Sequence, residues 1–163
     1  METPTRRPSE KFTNIWSWIF PLTYLIHIAE EYWGGEGYSA YIFRVRGVHL
    51  SPARFLAAQS IGFFLVTLAV IIARQLSFPQ TMLLILGTIV LINGLTHSFT
   101  SITTHSYGPG LYSSILLWLP LGIITLLRFR CAVSTKRYLM CIGIGVLVNV
   151  LIGLITMRGG RLV

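Results

Sequence analysis

Aspartate is missing from this 163-residue chain, and only five acidic residues, all glutamates, stand against 13 lysines and arginines. Charged residues make up 11% and apolar residues 53%, whereas an ordinary soluble domain carries about 25% charged residues. That deficit excludes a large soluble catalytic domain and, with a mean hydropathy of +0.69, marks a membrane chain. Two cysteines, Cys131 and Cys141, exclude a disulfide framework and lack metal-ligand spacing, so both read as free thiols. The net charge of +8 would raise nucleic acid as a partner in a soluble protein. Here no basic patch is interleaved with aromatics, and the cations fall between apolar runs, where headgroup contacts and topology signals put them. Nucleic acid is therefore not an expected partner, and membrane lipid is.

What is present is a succession of apolar runs. A bilayer core of about 30 Å takes roughly 20 helical residues, so the reading is an all-α, polytopic transmembrane helix bundle of about five spans. A polar lead over residues 1–13 precedes a single transmembrane helical domain over 14–163, with spans at 14–33, 53–73, 80–100, 111–127 and 138–157. The first run continues to Trp33 without a small-residue cleavage site, which favours a retained span over a signal peptide. Pro21 and Pro120 are kink candidates. Residues 38–52 are too short to span and too apolar for a free loop, so they read as interfacial or re-entrant. Alternating the connections puts eight cations, among them Arg74 and Arg128, on the N-terminal side against five on the other. The positive-inside rule then places the N-terminus in the cytoplasm.

The scarce polar residues are not scattered. The first and third spans run in the same direction, so His27, Glu30 and Glu31 reach the same leaflet as Asn93 and His97, with His105 and Tyr107 just beyond. A helix advances about 100° per residue, so His27, Glu30 and Glu31 share one face, and Asn93 and His97 share another. Ionisable groups at membrane depth cost several kcal/mol unless paired, hydrated or metal-bound. Two imidazoles with two carboxylates are a divalent-metal set, whereas a diiron centre typically takes four carboxylates. The bland readings are glutamates ending a helix at headgroup level and an Asn93–His97 pair that holds helices together. His49 reads as structural or solvent-exposed, and Asn149 as a packing residue. Tyr107 either donates to the site or belongs to the interfacial aromatic belt, and Tyr107-Gly108-Pro109-Gly110 is a tight turn into the fourth span.

At these residues the chain resembles the HXXEE domain family of small bacterial membrane proteins. His27-Ile-Ala-Glu30-Glu31 carries the motif, Asn93-Gly-Leu-Thr-His97 is similar to an Asn-Ala-x-x-His element, and Tyr107-Gly-Pro-Gly110 to a Tyr-x-Pro-Gly element. Gly94 stands where alanine is expected, and His105 lies outside the motif positions. The resemblance implies a shared site in a bacterial inner membrane and leaves its chemistry open.

The leading expectation is a membrane-embedded, metal-dependent hydrolase of a lipid or amphipathic substrate. His27, Glu31 and His97 would hold a divalent ion, zinc in preference to iron. Glu30 would accept the proton from water activated there, and Asn93 would orient His97 or steady an oxyanion. His105 and Tyr107 are lesser site candidates. A proton or metal-ion transporter, a structural or accessory membrane subunit, and a redox iron variant are the alternatives.

Overall fold

The computed structural model describes residues 8–159, so 1–7 of the expected polar lead and the terminal 160–163 lie outside it. Six helices follow one another. The first, α1 (Glu10–Trp33), begins within the expected lead because the Ser9 side chain accepts from the Phe12 N–H at 3.2 Å and caps it. Gly34 ends α1, and Gly37, at φ +76°, opens the short α2 (Tyr38–Arg46). The segment expected to be interfacial or re-entrant is thus a nine-residue helix followed by an irregular link.

Next come α3 (Pro52–Gln75), α4 (Pro79–Thr104), α5 (Leu111–Ala132) and α6 (Thr135–Gly159). Proline begins both α3 and α4, where its missing N–H has no helical partner to lose. These four helices overrun the expected spans at most ends, since capping and turn residues, not the limits of the apolar runs, stop them. All four are long and apolar enough to cross a membrane. With 24 residues α1 has the length but falls short in apolar composition, so length and composition show four of the five expected spans.

Inside α5, Ser114–Trp118 forms a π-helical turn in which the Leu119 N–H donates to the Ser114 carbonyl. The wider turn lies immediately before Pro120, the expected kink position.

The core forms where α4 packs against α5 and α6, and where α1 packs against α3. Phe20, Leu83, Leu84, Trp118, Phe129 and Cys141 are buried there. Gly122 lets α5 approach α4 closely: a Cβ at that position would stand 2.8 Å from the Gly87 carbonyl oxygen. Two hydrogen bonds tie helices across the core, from Trp16 Nε1 to Thr125 Oγ1 at 2.7 Å and from Asn149 Nδ2 to the Ile89 carbonyl at 3.2 Å. Asn149 is therefore structural, as expected. Leu22, Ile61, Phe64, Leu116 and Leu147 lie on the exterior, an arrangement that lipid tolerates and water does not. Cys131 and Cys141 are free, but only Cys141 is buried.

Candidate metal centre

The helical spacing of His27 and Glu31, four residues apart on α1, stacks their side chains on one face, and α4 brings His97 to meet them. Glu31 Oε1 lies 3.6 Å from His27 Nε2 and 3.4 Å from His97 Nε2. The three donor atoms all fall within 4.8 Å of one another. The imidazole planes are nearly perpendicular at 4.9 Å between centroids, so both rings aim a nitrogen at a common point. His27 and Glu31 are 1% and 3% exposed, which removes water as the usual partner of a carboxylate. Among the described residues no lysine or arginine pairs with Glu31. A buried carboxylate without a shared proton or cation costs several kcal/mol.

The remaining polar atoms of His27 and Glu31 are engaged. The Ser113 hydroxyl donates to the Gly110 carbonyl at 3.3 Å, so its oxygen accepts from His27 Nδ1 at 2.8 Å. A proton on Nδ1 leaves a lone pair on Nε2, the nitrogen facing Glu31. The backbone of Pro109, whose sole polar group is its carbonyl, lies beside His97. Gln59 Nε2 donates to Glu31 Oε2 at 2.6 Å, and the Tyr24 hydroxyl in turn donates to Gln59 Oε1 at 2.7 Å. Trp118 stacks on the His27 ring at 3.7 Å. The His27 ring and the Glu31 carboxylate are thus each oriented by a second polar group, the arrangement that metal ligands require.

Gly110 forms the wall against which the group rests. Its φ of +91° suits glycine, and a Cβ there would stand 2.8 Å from His27 Cε1, 2.9 Å from His97 Cε1 and 3.0 Å from Glu31 Cγ. The tight turn read from the sequence therefore does more than connect two spans.

Glu30 faces elsewhere. Its Oε1 accepts from the Tyr107 hydroxyl and the Tyr112 N–H, both at 2.8 Å, and its Oε2 accepts from the Ser113 N–H at 2.6 Å. The carboxylate caps the N-terminus of α5, where backbone donors have no helical partner. Three donors thus occupy the two oxygens of the residue expected to accept a proton. Tyr107 is a site-supporting donor rather than a belt residue. Burial and the Glu30 carboxylate push its phenol above its ordinary value and keep it protonated.

Asn93 and His105 also depart from expectation. Asn93 Oδ1 is buried without a hydrogen-bond partner among the described residues. His105 ends α4 in a left-handed conformation, φ +49°, and is not one of the three converging donors. It lines a shallow cavity of about 370 Å³ with Tyr107 and Tyr112. Glu36, the third clustered glutamate, pairs with Arg44 on α2.

Sequence reasoning passed over Gln59, Ser113, Tyr24 and Trp118. Gln59 had a signal, as the sole amide side chain in the run 53–73. Ser113 had none, because its role depends on the hydroxyl reaching another helix.

No curated protein and no solved structure matches the chain. A family described as proteins of unknown function with an HXXEE motif matches residues 18–125, a stretch that contains His27, Glu30, Glu31, Gln59, His97, Gly110 and Ser113. The chain belongs to the HXXEE family.

Proposed function

We propose that this is an integral membrane protein that binds a divalent metal through His27, Glu31 and His97 and uses it to hydrolyse a lipid or amphipathic substrate. In this reading α1 is a fifth span beside the four more apolar ones, and the N-terminus is cytoplasmic, as the excess of cations on its side favours.

The observation that carries the proposal is the convergence of three lone-pair donors, of which His27 and Glu31 are buried and each backed by a second polar group. Separations of 3.4 and 3.6 Å from Glu31 Oε1 approach the edge of about 3.3 Å expected for a tetrahedron with bonds of roughly 2.0–2.1 Å. Three protein ligands leave one position for a reacting oxygen, the pattern of catalytic rather than structural sites. Zinc is the simplest ion for this set, and ferrous iron is its competitor, since two histidines and a carboxylate serve both.

A bound ion would polarise a substrate carbonyl and acidify water. Of the two glutamates only Glu31 is one of the three donors, and its second oxygen accepts from Gln59. We therefore assign Glu31 to the metal and positioning to Glu30, which holds the start of α5 so that Ser113 meets His27. Metal analysis of the protein purified without chelators tests the reading. One equivalent of zinc or iron, lost in Glu31→Gln and His97→Ala, is expected; metal-free protein that keeps its cellular activity would overturn it.

A further inference from the structure

His27 and Glu31 are buried and the His97 side chain is 12% exposed, so a ligand needs a route to the group. Glu31 also borders a cavity of about 290 Å³ between the end of α1, the start of α2 and the start of α3. Glu36, Tyr38, Ala40, Pro52 and Phe55 share its lining. The cavity therefore places Glu31 of the metal group beside the start of α2, at the rim of which Glu36 pairs with Arg44.

Tyr38 occupies the inner side of this passage. Its ring lies 5.4 Å from the Phe55 ring and 6.4 Å from the His97 ring, centroid to centroid. Packing on Phe55 holds the ring from α3, while its hydroxyl makes no hydrogen bond to another described residue. A hydroxyl left unengaged in a largely apolar cavity that Glu31 borders is placed to meet a ligand oxygen.

We propose that this cavity is the port to the metal group, and that the Tyr38 hydroxyl donates a hydrogen bond to the oxygen of a carbonyl-bearing amphiphile bound there. The proposal rests on the metal-binding reading above and adds the route and the substrate class. Ligand pockets run from about 300 to 1,000 Å³, so this cavity, at the lower limit, holds a carbonyl and its immediate neighbours. A hydrocarbon tail must then remain outside, against the exposed Trp33 and Phe43 that flank the mouth in sequence. The matching substrate is an ester or amide of a single-chain amphiphile, with its polar end inserted and its tail in the bilayer. Glu36 is neutralised by Arg44 at the rim, so it presents no free charge to repel such a ligand.

The test uses the full chain in detergent. Zinc stoichiometry and affinity are measured first, and failure at that stage removes the metal reading and the port together. Ala40→Trp, on the exposed wall of the cavity, is then expected to slow both zinc uptake and its extraction by EDTA by about tenfold, because the indole fills the mouth, with final stoichiometry unchanged. Ser39→Trp repeats the measurement from the same wall. Wild-type exchange rates in both folded variants would overturn the port while leaving the metal site standing.

Octanohydroxamic acid, a single-chain carbonyl amphiphile, serves as the probe on cobalt-loaded protein, read through the visible spectrum. Tyr38→Phe is expected to weaken its binding by about tenfold, the worth of one hydrogen bond, at unchanged cobalt affinity. Equal hydroxamate affinity in wild type and Tyr38→Phe would overturn the role of the hydroxyl.

Discussion

Replacing Gly110 by alanine separates two effects that usually arrive together. The residue holds φ +91°, and its missing Cβ is what keeps His27, His97 and Glu31 undisturbed. A left-handed backbone at a non-glycine residue costs about 1–2 kcal/mol. Ordinary contacts begin near 3.4 Å, and the new methyl would stand at 2.8, 2.9 and 3.0 Å from the three ligand residues, so each must retreat by about half an ångström. Displacement on that scale spreads the donors from a geometry that tolerates deviations of only about 0.2 Å in bond length. Metal affinity is then expected to fall by about 10- to 100-fold, as when an orienting partner is removed.

Gly47→Ala is the control, because Gly47 also has positive φ, +67°, yet nothing lies within 4 Å of its added Cβ. Both variants should lose a similar backbone contribution in thermal melts, and only Gly110→Ala should lose metal in a competitive chelator titration. Equal metal affinity in the two variants would refute the idea that Gly110 shapes the donor set.

The other predictions concern the groups around the donors. Ser113→Ala removes the acceptor for His27 Nδ1 and should weaken metal binding by about 10- to 100-fold without unfolding the chain, as a chelator titration would show. Glu30→Gln turns an amide donor toward the N–H groups of Tyr112 and Ser113; a melt should show a loss of about 1–3 kcal/mol, with metal binding weakened but not abolished. Asn149→Leu breaks the tie from α6 to α4 and should cost about 0.6 kcal/mol in the same melt, leaving metal content unchanged. Addition of metal at about 100 times its Kd should stabilise the chelated protein by about 2.7 kcal/mol, and a melt that ignores the metal would count against a native site.

The membrane class was legible because it depends on composition, which folding cannot alter: few charges, long apolar runs and cations between them. The meeting of His27, Glu31 and His97 was legible for a geometric reason. Spacing of four residues selects a helix face, and two spans that run in the same direction bring their ends to one leaflet. Neither step requires knowledge of a contact.

The division of labour between Glu30 and Glu31 was not legible. Adjacent residues 100° apart both lie near the face of His27, and only the position of α5 decides which meets imidazoles and which meets the free N–H groups of a helix start. The same holds for Gln59, Ser113 and Gly110, whose roles come from the approach of α3 and of the turn before α5. Sequence by itself determined that a few polar side chains gather at one end of an apolar bundle, since bilayer length and helical phase are local properties. Tertiary structure alone decided which of them are candidate ligands, which polar groups meet those ligands and which cavity borders them, because hydrogen-bond partners and cavities are set by the packing of helices distant in the chain.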